Sequence, residues 1–146
     1  MNWEDLRISK VREYLFGIIN TLANDDDYQI NVDMLSNDIN NYSLNKIPVD
    51  SVVEQWITGF TRYQDVYSFR SRMAYSQDVI NNLLNIGFFE AFEKIIENNN
   101  KNKILPAIEG IESIECLNCG TLNNAQTHTA EFDIQIRIIY HDGESL

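Results

Sequence analysis

The chain reads as a single α+β domain, a mainly antiparallel sheet with helices packed on one face, in the order αβββααββ. Three stretches predict this. Thr129 to Tyr140 alternates, with Ala130, Phe132, Ile134, Ile136, Ile138 and Tyr140 against Glu131, Asp133, Gln135 and Arg137. That period of two belongs to a strand with one apolar face. Arg62 to Met73 does the same, with Tyr63, Tyr67, Phe69 and Met73 against Arg62, Gln64, Val66, Ser68, Arg70 and Arg72. Trp3 to Ala23 instead repeats at three and four residues through Ile8, Val11, Leu15, Ile18 and Leu22, the period of a helix. With 146 residues, residues 1–146 form one domain, long enough to bury close to ~70% of the unfolded surface.

The elements follow in chain order. Asn2 caps the first helix, and Glu4 and Asp5 suit its positive end. Gly17 weakens its interior, and Asn24-Asp25-Asp26-Asp27 ends it, because acids are unfavourable beside the negative end of the dipole. Tyr28 to Val32 reads as a short strand. Asp33 to Pro48, rich in asparagine, reads as a polar connection. Val49 to Ile57 is a second strand, with Val53 and Trp56 as anchors, and Arg62 to Met73 a third. Ser76 and Asp78 open a helix whose stripe is Val79, Leu83 and Ile86, with Gly87 as its stop. A second helix runs from Phe88 to Asn98, with Phe89, Phe92, Ile95 and Ile96 inward. After the loop at 98–103, Ile111 to Leu122 reads as a strand and Asn123-Asn124 as a turn. Thr129 to Tyr140 returns antiparallel beside it. A one-residue slip there would turn every isoleucine except Ile139 to the wrong side, so its register is well specified. His141 to Leu146 is a tail.

Composition bounds the function. Hydrophobic residues make up 44% and aromatic residues 11%, the profile of a folded chain. Eleven Lys and Arg stand against 22 acids, a net charge of −11. Stable grip on a duplex needs clustered cations to replace phosphate counterions, so this balance argues against it. It suits solubility, or a passage through which DNA slides without sticking. Met1-Asn2-Trp3-Glu4-Asp5 lacks the basic and apolar regions of a signal peptide, and no apolar run approaches the ~20 residues of a membrane span. The expected compartment is a cytoplasm.

No catalytic constellation emerges. Cys116-Leu117-Asn118-Cys119-Gly120 has the form of half a zinc knuckle, but the other candidate ligands, His128 and His141, lie too far apart for the usual spacing. Two reduced thiols are the simpler reading, with no metal and no cofactor. A redox pair would open a helix, and none follows. Asp25-Asp26-Asp27 reads as a solvated loop before a cation site. Neither histidine sits near a nucleophile in a recognisable motif, and no glycine-rich phosphate loop is present. The charged sides of the two long strands remain. Arg62, Arg70 and Arg72 form a basic stripe, and Glu131, Asp133 and Arg137 carry both signs. These six are the expected subunit or tube interface, where the stripe would face a neighbour's acids. An ordinary solvent face is the competing reading.

Tyr75-Ser76-Gln77-Asp78-Val79, Asn85-Ile86-Gly87-Phe88-Phe89-Glu90 and the closing Thr129-Ala130-Glu131-Phe132 through Arg137-Ile138-Ile139-Tyr140 carry a family resemblance. With the long first helix before a short strand, they resemble the small tail-terminator proteins of tailed phages and phage-like particles of low-GC Gram-positive bacteria, also described as minor capsid proteins. The resemblance covers most of the chain, although Asp33 to Pro48 matches no motif. It implies a non-enzymatic virion protein of the tail neck, assembled in the host bacterial cytoplasm. It implies a ring, commonly a hexamer, that caps the head-proximal end of the tail tube, stops tube growth and docks a head-completion protein. In a contractile particle it also anchors the last sheath ring, and DNA passes through its lumen without specific binding. Another neck component, such as a head-tail stopper or tail-assembly factor, is the nearest alternative. A small zinc-binding domain is a more distant one.

Overall fold

The computed structural model describes residues 2–22, 29–32, 41–57, 59–74, 79–117, 121–125 and 129–142. A 3-10 turn at Trp3–Asp5 leads into α1 (Arg7–Leu22). Four strands follow: β1 (Gln29–Val32), β2 (Asn41–Ile47), β3 (Val52–Gln55) and β4 (Thr61–Ala74). Then come α2 (Val79–Lys101), β5 (Ile111–Cys116), β6 (Thr121–Ala125) and β7 (Thr129–Asp142).

The two strands that alternate most clearly in the sequence form the centre of the sheet. β4 and β7, 14 residues each, pair antiparallel along their whole length, from Thr61↔Asp142 to Ala74↔Thr129. β2 and β3 share the outer edge of β4 one after the other, and β5 and β6 share that of β7. β1 pairs parallel with β2 and is the exception in an otherwise antiparallel sheet.

Alternation then decides what is buried. Ile134, Ile136 and Ile138 of β7 are fully buried, as are Leu44 of β2 and Ile114 of β5, with Tyr67 and Phe69 of β4 at 1% exposure. Val11, Leu15, Ile18 and Ile19 of α1 and Phe92 and Ile96 of α2 close over that side and complete one core. Phe69 stacks between Tyr42 and Phe92, with ring centroids 5.4 Å away on each side. Both helices therefore lie on one face of the sheet, and the side of β4 and β7 that bears the arginines faces away from them. Burying each large side chain contributes roughly 1.5–3 kcal/mol before entropy is subtracted.

Four expectations need correction. The element order is α, four strands, α, three strands, not αβββααββ. Gly87 does not stop a helix, because α2 runs through it as one element. A glycine costs a helix only about 1 kcal/mol, less than is gained by burying Phe89, Phe92 and Ile96. The asparagine-rich connection contains β2, in which Tyr42 and Leu44 are buried against the core. Asparagine disfavours strands only weakly, and pairing with β4 outweighs it. Ile111 to Leu122 is two strands, and Asn123-Asn124 lies inside β6, where the register shifts between Leu122 and Asn124. That pair makes a bulge, not a turn.

Smaller boundaries move as well. Leu6 is extended (ψ 142°) and separates the opening turn, capped by Asn2, from α1. The strand expected at Val49 to Ile57 is confined to Val52–Gln55, and β7 takes in His141 and Asp142. The cap at Ser76, the stop at 24–27 and most of the tail lie outside the described residues.

Two stability outcomes follow from this packing. Phe92→Ala should cost about 3–5 kcal/mol, the range for an aromatic emptied from a closed core, read by urea denaturation. Gly87→Ala should raise stability by up to about 1 kcal/mol, because a β-carbon there meets nothing within 4 Å. A loss on that substitution would contradict a continuous α2.

Candidate functional site

The six expected interface residues all lie on β4 and β7. Arg62, Arg70, Glu131, Asp133 and Arg137 occupy the side without helices, and register sets Arg72 opposite Glu131. The structure joins most of them to partners within the chain. Arg62 forks onto Glu112, with Nε to Oε2 at 2.7 Å and Nη2 to Oε1 at 3.0 Å, and also pairs with Glu54. Arg70 Nη1 donates to Glu131 at 3.2 Å, and Ser68 Oγ donates to Asp133 at 2.6 Å. Arg137 Nε donates to Glu115 at 2.6 Å. The Asn45 side-chain amide lies 3.0 Å from Arg70 Nη2, and turning its oxygen to that side satisfies both groups. The guanidinium of Arg62 holds the Glu112 carboxyl below the usual glutamate range, and the hydrogen bond to Glu112 pushes Arg62 up in turn.

These side chains do more than neutralise one another. Ser43, Val66 and Ser68 belong to the helix-free side, yet all three are buried. The side chains of Arg62, Arg70 and Arg137 are themselves only 27–34% exposed, as expected of long stems laid over apolar surface with their charged ends outward. A partner at this face therefore meets Arg62, Arg70 and Arg137 already paired within the chain.

A second cluster lies on the helix side, where the alternation of β4 is broken by an acid. Asp65 sits between Tyr63 and Tyr67 and is 1% exposed. Its Oδ2 accepts from Arg7 Nε at 2.7 Å and Tyr67 Oη at 3.1 Å, and Lys46 Nζ stands 3.4 Å from Oδ1. Tyr140 also reaches the carboxylate, and the Arg7 guanidinium lies over its ring at 4.7 Å. A cleft of about 700 Å³ opens here, lined by Arg7, Lys46, Tyr63, Asp65 and Tyr140 among others. Burial pushes both the Tyr67 and Tyr140 hydroxyls up, so they stay protonated at neutral pH and act as donors. Arg7 opens α1 and Lys46 lies near the end of β2, so the carboxylate ties both elements to the centre of the sheet. Sequence reasoning missed Asp65, although an acid on the apolar side of an alternating strand is itself a signal, because a buried carboxylate requires partners.

Cys116 lies on β5 opposite Ile136 and packs against the core as a small apolar side chain; Cys119 and His128 lie outside the described residues. His141 Nδ1 is 3.7 Å from Glu112. Among the described residues no group of three or more His, Cys, Asp or Glu could hold a metal, and no helix is long and apolar enough to cross a membrane. The exposed apolar side chains are concentrated in one place. Of nine large ones among the described residues, Val49, Val52, Val53, Trp56 and Ile57 lie within a single stretch.

The chain matches no protein-family model and no curated protein.

The two clusters differ in cost when disturbed. Arg7→Ala should destabilise the fold by about 2–3 kcal/mol, because it removes a charged hydrogen bond from a buried carboxylate. Arg137→Ala, at an ion pair open to solvent, should cost under about 1 kcal/mol. Urea titration of the two variants side by side checks the order. Stability should also fall as pH rises above the ordinary tyrosine value of 10.0. The Tyr67 hydroxyl is raised in the folded state, so its contribution is present below that pH and is lost as the unfolded chain ionises first. Tyr67→Phe should flatten that decline.

Proposed function

We propose that this chain is a structural assembly subunit, a tail terminator that forms a ring on the head-proximal end of a tail tube. On this reading it halts tube polymerisation and offers the surface on which a head-completion protein docks. It acts without catalysis and without a cofactor, in the neck of a virion or phage-like particle put together in a bacterial cytoplasm. In a contractile particle the same ring anchors the last sheath layer.

One observation carries the assembly part of the reading. Val49, Val52, Val53, Trp56 and Ile57 are all more than 40% exposed along one edge of the sheet. Apolar surface concentrated in this way marks an interaction site. The terminator part rests on the family resemblance of the residues at 75–79, 85–90 and 129–140. The net charge of −11 fits both a soluble free subunit and a lumen that repels the DNA backbone as it passes.

Deleting the gene tests the reading, with tail lengths measured by electron microscopy. Overlong tails are the expected result. Tails of normal length beside unjoined heads would make the chain a head-tail stopper, the nearest alternative.

A further inference from the structure

We infer that copies of this chain meet head to tail, with the β3–β4 hairpin of one copy seated in a recess on the opposite flank of the next. This rests on the assembly reading above and names the contact it leaves open.

The hairpin supplies the projecting part. Among the described residues β3 pairs only with β4. Val52 and Val53 are close to half exposed, Trp56 is 43% exposed, and Ile57 at the tip is fully exposed. On either side of the tip, Trp56 N donates to Phe60 O at 2.8 Å, Gly59 N donates to Trp56 O at 3.0 Å, and Gly59 takes a positive φ of 93°. The Phe60 ring is buried and stacks on His141, with centroids 5.3 Å apart. Trp56 is thus tied by backbone hydrogen bonds to Gly59 and Phe60, which lowers the ordering cost of docking it.

The opposite flank supplies the receiving part. A recess of about 540 Å³ is lined by Lys103, Leu105, Pro106, Ile111 and Glu112, and Ile104 beside it is 55% exposed. Hairpin and recess lie at the same end of the sheet. Val52 pairs with Tyr63, Tyr63 with Tyr140, and Tyr140 with Ile111, so one row of residues runs from edge to edge. Three strand spacings, roughly 14 Å, separate β3 from β5. Side-by-side copies would bring the hairpin of one to the recess of the next, a heterologous contact that closes into a ring if its rotation allows.

Charge selects a second copy as the occupant. The hairpin flank carries the exposed Asp50 and the recess flank the exposed Lys103, in a chain with twice as many acids as cations, whereas Glu54 and Lys101 are already paired with Arg62 and Glu97. The acid inside the recess, Glu112, is already held by Arg62. The contact is one of side chains and not a continued sheet, because Asn100 Oδ1 accepts from Ile114 N at 3.1 Å and caps the outer edge of β5.

Sedimentation velocity across micromolar to near-millimolar protein tests this. The wild-type chain should assemble, and Ile57→Asp should raise the concentration needed by at least about tenfold. Ile57 is fully exposed, so this variant keeps the fold, which circular dichroism checks. Lys103→Glu should weaken assembly, and combining it with Asp50→Lys should restore it. Mixing Ile57→Asp with Lys103→Glu/Ile104→Asp leaves one intact contact per pair and should yield dimers and nothing larger. If Ile57→Asp and Lys103→Glu assemble like wild type, the contact is wrong while the terminator reading stands. A wild-type chain that stays monomeric throughout also overturns the contact, and tail lengths in the deletion strain then judge the terminator reading separately.

Discussion

The pairing of β4 with β7 is the constraint on which the rest of the structure depends. Fourteen residues of each strand are in register without interruption, so a side chain's face is set by whether its position is odd or even. Tyr67 and Phe69 must then share a side with Ile134 and Ile136, and Arg62 and Arg70 must share the other with Asp133 and Arg137. A slip of one residue would place isoleucines in water and arginines in the core. The helices, the four strands that flank the pair and the charged network all take their positions from this ladder.

The two sides of the ladder solve different physical problems. On the helix side apolar burial provides the stability, and the buried carboxylate of Asp65 is tolerated because Arg7, Lys46 and Tyr67 surround it. Its partners come from the start of α1 and the last turn of β2 toward β3, so a polar group in an apolar layer also fixes where those elements end up. On the other side no helix among the described residues covers the strands, and Arg62, Arg70 and Arg137 there are about one-third exposed or less. Their charges are matched to Glu54, Glu112, Glu131 and Glu115 from neighbouring strands. Such pairs contribute little to stability at a solvated surface, but they match the charges of Arg62, Arg70 and Arg137 within the chain. The apolar edge at residues 49–57 thereby becomes the feature of the surface that most needs a partner, which is why the assembly contact is placed there and not on the arginine stripe.

Several features were legible without coordinates. Alternation at 62–73, interrupted by Asp65, and at 129–140 identified two strands and the apolar face of each, though not their pairing with one another, and the three-and-four spacing identified α1 and its inward residues Val11, Leu15 and Ile18. The interruption of helix and strand was harder to read. Gly87 has the chemistry of a stop, and it was overridden because the phenylalanines after it are worth more buried than the glycine costs. Asn41 to Ile47 has the composition of a loop, yet Tyr42 and Leu44 found a buried place beside Phe69. In each case a local preference of about 1 kcal/mol or less yielded to burial worth more.

The sequence by itself therefore determined the fold class, the two long strands, the apolar side of each and the large excess of acid, because periodicity and charge are properties of the chain alone. Only the tertiary structure decided which charges meet. Arg62 and Glu112 are 50 residues apart, and Arg7 and Asp65 are 58 apart, and nothing local links either pair. Their union depends on strand order and on where α1 crosses the sheet, which are set by the packing of the whole core and not by any stretch of it.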